Sequence, residues 1–166
     1  MIGELEFQDK VRELEAEVKK FVKAARKKNE DGKWDEFRIS ALHPDPVEMG
    51  LVGKGMKNLY GKSCDDWIND GPVFGSANIP KGAIKLLDEM YGAHDWYEWH
   101  CQNWGTKWDA TGSLESRSDG YAQYNFQTAW CMPTPFIDFI RDKFPKLEFL
   151  VNYQNEEDGF EENFTY

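Results

Sequence analysis

The residues best suited to chemistry lie in one stretch, WYEWHCQNWGTKWDATG (Trp96 to Gly112). It holds four of the seven tryptophans beside Glu98, His100, Cys101 and Asp109, with His94 just upstream. A metal centre would draw on His94, His100, Cys101 and either Cys64 or Cys131. His94 and His100 are six residues apart, so on a helix they diverge by about 120° rather than converging on one ion. No H-E-x-x-H occurs, and no G-x-S-x-G or local Cys and His signature supports a nucleophile. Glu98 and Asp109 are the nearest carboxylate pair for acid and base work, with nothing in their spacing that makes them face each other. GKGMKNLYGKS ends in Gly61-Lys62-Ser63 but has Met56 where a phosphate loop needs glycine, and reads as a basic loop.

The tryptophans admit two readings. Exposed indoles could stack nucleobases, but between His94 and Gly112 a single base, Lys107, stands against Asp95, Glu98 and Asp109. That is the wrong setting for a phosphate backbone. The expectation is a core: Trp96, Trp99, Asn103, Trp104, Gly105, Lys107, Trp108 and Asp109 form a structural motif. Indole N–H groups would be bonded to Asn103, Asp109 or backbone.

The elements that must position this segment follow from periodicity. Phe7, Val11, Leu14, Val18, Phe21, Val22 and Ala25 make one stripe of a helix over 4–28, ended by Asn29 to Gly32. The stripe would lie on a sheet, with a coiled-coil homodimer as the alternative. A strand is expected over 34–42, then a glycine-rich irregular insertion over 47–80. Next come a helix over 81–91 capped by Gly92 and a second one capped by Asp95 and broken by Gly105, with Trp96, Trp99, His100 and Asn103 on one face. TKWDA reads as a short strand. GYAQYNFQTAWC is the clearest strand, with Ala122, Tyr124, Phe126, Thr128 and Trp130 on one face and a wet face opposite. A helix with Thr134 as N-cap and Pro135 at its first position leads to a strand over 146–153, so 120–153 reads as a right-handed crossover unit. The fold class is α+β: one domain over 1–166, a mainly antiparallel sheet with helices on one face.

Charge bounds the function. The 166-residue chain carries a formal charge of -10, which argues against direct nucleic-acid binding and favours a basic partner. Residues 145–166 contribute Lys146 against six acids: Glu148, Glu156, Glu157, Asp158, Glu161 and Glu162. These six are the candidate partner-binding residues. Cys64, Cys101 and Cys131 are odd in number and widely spaced, suggesting no disulfide framework. No secretory leader or membrane span is apparent, so the expected location is the bacterial cytosol, with no cofactor.

WYEWHCQNWGTKWDA, followed by FQTAW, MPTP, KFPKLEF and YQNEEDGF, resembles the YubB-type ferredoxin-like proteins encoded by phages, prophages and plasmids. The run from Asn103 to Ala110 is the most specific part, and the match covers 91–160. The resemblance implies a ferredoxin-like sandwich and a mobile-element origin; it brings no catalytic residues. Relatives usually open on an N-x-L-x-I-x-G strand where this chain starts with MIGE, so a sheet edge is expected to be open or completed by a partner, another copy included. The function expected is non-enzymatic binding through protein contacts, with an acidic inhibitor of a host nucleic-acid-handling or defence system as one form. A small metal-dependent hydrolase or nucleic-acid-modifying enzyme using His94, Glu98, His100 or Asp109, and single-strand binding by exposed tryptophans, are the alternatives.

Overall fold

The computed structural model describes residues 2–48, 81–93, 95–129, 131–155, 159 and 161–166. From residue 49 onward the expected insertion lies outside the described residues, as do Cys64, His94, Trp130, Glu156, Glu157 and Asp158.

Helix α1 (Ile2–Ala25) buries the second half of its stripe. Val18, Phe21, Val22 and Ala25 are buried, whereas Val11 and Leu14 remain exposed. Phe21 is the anchor, meeting the rings of Phe144, Phe149 and Tyr124 at 5.1, 5.6 and 6.0 Å. A fully buried ring of this size contributes about 1.5–3 kcal/mol. The helix stops at Ala25, three residues before the expected end, because Lys27–Lys28 (β1) pairs antiparallel with Trp34–Asp35 (β2). Asn29 shapes the turn between them: its Oδ1 accepts the N–H groups of Asp31 and Lys33 at 3.1 and 3.0 Å.

The strand expected over 34–42 is interrupted. After β2, Phe37–Arg38 (β3) pairs with the chain at Gly112 and Thr111, and Ile39–Leu42 is then a single helical turn, α2. The cause is remote. Asp109 takes the Ser40 N–H on Oδ1 (2.9 Å) and the Ser40 hydroxyl on Oδ2 (2.5 Å), so this turn is capped from 69 residues away.

Helices α3 (Lys81–Tyr91) and α4 (Trp96–Asn103) stand where periodicity puts them. Gly92 ends α3 at a φ of 68°, and Leu87 is its buried contact. TKWDA is irregular chain rather than a strand, because its groups bond outside a ladder: Thr106 Oγ1 accepts from Ala129 N, and the Lys107 carbonyl bonds the His100 ring. The strand begins afterwards, as β4 (Thr111–Ser118), and returns through Asp119-Gly120 as β5 (Tyr121–Phe126). In β5 the expected faces hold, with Ala122, Tyr124 and Phe126 inward and Gln123 and Asn125 in water.

Helix α5 (Thr134–Lys143) has Pro133 rather than Thr134 as its N-cap, which moves Pro135 to the second helical position. The last expected strand, β6 (Leu150–Gln154), pairs antiparallel with β7 (Glu161–Thr165), formed by the acidic terminus. Among the described residues, the sheets are β1-β2, β3-β4-β5 and β6-β7. The strands flanking α5, β5 and β6, fall in different sheets, so the expected crossover within one sheet is not formed there. The class is α+β with antiparallel sheets.

One core joins these parts: Phe21, Phe37, Ile39, Leu42, Leu87, Trp99, Trp104, Phe136, Ile140 and Phe144 belong to a single buried cluster. At its sheet side the middle-strand residue is Gly112, flanked by Phe37 on β3 and Phe126 on β5. The two rings stack over it, 4.5 Å apart at 20°. A Cβ on Gly112 would lie 2.6 Å from the Asn125 carbonyl oxygen and 2.8 Å from Phe126 Cβ. Gly112→Ala should therefore cost about 1–3 kcal/mol and lower the melting temperature. Ser113→Ala, on the exposed face, is the comparison that should not, and thermal denaturation by circular dichroism reads both.

Candidate functional site

The chain between α3 and β4 gathers the indoles. Asp95, itself buried, accepts the Glu98 N–H at 2.8 Å and starts α4. At the other end His100 O accepts from both Trp104 N and Gly105 N, and Gly105 turns the chain at a φ of 72°. This reversal folds Trp104 back under the helix. Trp104 is 1 % exposed, its Nε1–H donates to His43 O at 2.9 Å, and the His100 ring stacks on it at 3.8 Å. Trp99 meets Trp104 edge-on at 5.8 Å and His43 at 5.2 Å. The core expectation therefore holds for Trp99 and Trp104, while Trp96 is half-buried. It fails for Trp108, which is 59 % exposed, with Lys107 Nζ 4.5 Å from its ring centre. Asn103 and Asp109, named as indole partners, bond elsewhere: Asn103 Nδ2 donates to Trp99 O, and Asp109 caps α2.

The imidazoles serve this packing. His100 Nδ1 lies 3.0 Å from Lys107 O, and since a carbonyl only accepts, that nitrogen carries a hydrogen. Its Nε2 is buried, 3.8 Å from Asp45 Oδ2, an ion-pair rather than a hydrogen-bond distance. His100 holds the Asp45 carboxyl below its ordinary value. His43 stacks on Phe139 at 3.7 Å, and its buried Nδ1 has no partner among the described residues. Burial, and then the positive charge of Lys143, lower its pKa.

A second polar group is absent from the sequence reading apart from Asp109. Arg38 donates from Nε to Asp35 (2.6 Å) and from a terminal nitrogen to Asp109 (3.1 Å). Lys27 Nζ donates to Ser40 Oγ at 2.6 Å, and that hydroxyl donates onward to Asp109. Lysine, serine and carboxylate in a line resemble an activated nucleophile. Here Ser40 is 5 % exposed, and its oxygen is engaged on both sides by groups that fix α2. The trio holds the fold together. Ser40 and Arg38 meet Asp109 from 69 and 71 residues away, and Lys27 meets Ser40 across 13, so these ties carry no short-range signature; the Asp35–Arg38 pair, three residues apart, is the local one.

The remaining candidates scatter. Glu98 accepts from Gln102, whereas Asp109 bonds Arg38 and Ser40. Cys101 is half-buried and Cys131 exposed, both as free thiols. Among the described residues, no three His, Cys, Asp or Glu side chains are placed to hold a metal, and no helix is long and apolar enough to cross a membrane. Glu148, Glu161 and Glu162 are exposed, with Glu161 accepting from Asn152 at 2.8 Å. Trp34, 54 % exposed beneath Arg26 and Lys28, is a surface indole that the tryptophan-rich motif did not include. Comparison with family models, curated proteins and solved structures gives no match for this chain.

The His43 environment sets a pH dependence. Its folded pKa lies below 6.5, so above pH 6.5 the ring is neutral in both states. As the pH falls through 6.5 the unfolded chain takes up a proton first, and stability is lost until the lower folded value is passed. His43→Phe keeps a ring against Phe139 and removes the titration. Between about pH 7 and 5 the wild type should lose stability relative to this variant in urea unfolding; parallel curves would contradict the assignment.

Proposed function

We propose that this chain is a non-enzymatic binding protein of a phage or other mobile element, built on a YubB-type ferredoxin-like domain and acting through protein contacts in the bacterial cytosol. One observation carries the reading. The side chains with chemical potential, His43, His100, Asp95, Asp109 and Ser40, are committed to packing, capping or ion pairs, while exposed charge gathers on the C-terminal hairpin.

The partner is a basic host protein, with Glu148, Glu161 and Glu162 presented by or beside β6 and β7, and with Glu156, Glu157 and Asp158 in the same segment. Such a surface offers a channel made for nucleic acid a competing set of negative charges. No strand pairs with the outer edge of β5 among the described residues, which leaves room for a strand from a second copy.

A second reading has its own observation. Trp34 and Trp108 are exposed and each has a cation over its ring, the pairing that single-stranded nucleic acid exploits. The two readings separate in one experiment: affinity capture from bacterial lysate at low and high salt, with and without nuclease. The proposal expects a basic protein that survives nuclease, is released by salt, and is lost from Glu161→Lys/Glu162→Lys. Capture indifferent to salt removes the acidic-surface reading, and capture abolished by nuclease favours the second.

A further inference from the structure

The terminal register pair of the β4–β5 hairpin is Gly112↔Phe126, beyond which the two strands part. They are tied again where Ala129 N donates to Thr106 Oγ1 at 3.0 Å. Between these two ties lies an open groove of about 650 Å³, within the range of about 300–1,000 Å³ usual for small-ligand sites. One wall runs from Trp108 to Ser113 and the other from Asn125 to Ala129.

Its chemistry is specific. Trp108 presents a large exposed indole at the rim, steadied by Lys107 over the ring. Thr111, Ser113 and Asn125 bring exposed hydroxyl and amide groups that both donate and accept. Asp35 and Asp109 line the groove, and among the described residues no lysine or arginine lines it. Their charges are balanced from behind: Arg38 bridges both carboxylates, and Lys27 reaches Asp109 through the Ser40 hydroxyl. An anion would therefore meet two carboxylates, and a cation would find them already paired. A neutral ligand rich in hydroxyl groups meets neither penalty. Its O–H groups can donate to the carboxylate oxygens and the amide, and its C–H face can pack on the indole.

The geometry points to a binding site for an uncharged saccharide in the groove between Trp108 and Asn125. The site is independent of the acidic hairpin and of the protein contacts proposed for it.

The test titrates the full chain with three neutral trisaccharides, maltotriose, cellotriose and tri-N-acetylchitotriose. Tryptophan fluorescence and backbone amide shifts report binding; an oligothymidylate and trilysine are the charged comparisons. At least one trisaccharide should bind saturably in the millimolar range or tighter, with shifts centred on 35, 108–113 and 125–129. Trp108→Ala should weaken it at least about tenfold, roughly 1.4 kcal/mol, as should Asn125→Ala. Both side chains are exposed, and an unchanged circular dichroism spectrum confirms that each variant folds. The site is overturned if none of the three saccharides saturates, if the folded Trp108→Ala chain binds undiminished, or if either charged probe occupies the groove more tightly than the sugars.

Discussion

The structure depends on where the Asp109 carboxylate points its two oxygens. Between them they accept the Ser40 N–H, the Ser40 hydroxyl and an Arg38 N–H, joining two stretches about 70 residues apart. Hydrogen bonds to a charged group contribute about 1.5–3 kcal/mol each, enough to turn extended chain at Arg38 into the helical turn that follows. The same bonds fix β3 against β4, so Phe37 lies beside Gly112 and stacks on Phe126. Another residue at 109 would release the turn, the register and the aromatic stack together.

The indoles add a second constraint of a different kind. Trp104 and Trp99 are large apolar bodies, and the one polar atom of the deeply buried Trp104 is satisfied by a backbone carbonyl, that of His43. This bond ties the end of α2 to the chain after α4, and Lys143 ties the same place to α5 through the Leu42 carbonyl at 2.5 Å. Aromatic packing and polar ties thus converge on residues 42 and 43 from two helices. A site so closed to water suits scaffolding. The proposed binding functions lie outside it, on the acidic hairpin, the exposed indoles and the groove beside Trp108.

What the sequence made legible is what repeats locally. Helices α1, α3, α4 and α5 and strand β5 announced themselves because their buried faces recur at helical or strand spacing, and Asp95, Gly92 and Gly105 mark ends by local bonding. Strand β4 was hidden because TGSLESRS has one apolar residue, Leu114, and so no alternation to read. Strand β7 was hidden by its acids, which read as a solvated tail. The strand over 34–42 was overestimated because the atom that breaks it belongs to residue 109. The same remoteness concealed Arg38 and Ser40, and with Ser40 its donor Lys27; the Asp35–Arg38 pair is local. Trp108 was grouped with its neighbours by composition, although it lies on the outward side of a segment in which Trp99 and Trp104 are buried and Trp96 is half-buried.

The claim at the centre is that the tryptophan-rich segment encloses Trp99, Trp104 and His100 and performs no reaction. Solvent exchange of the indole N–H protons, followed by NMR and assigned with single Trp→Phe variants, addresses it directly. The Trp104 Nε1–H should be protected to nearly the level of the core amides of α5, and the Trp108 Nε1–H should exchange freely. Equal, rapid exchange at Trp104 and Trp108 would mean an open, hydrated hollow beside His43 and His100, and would contradict the account.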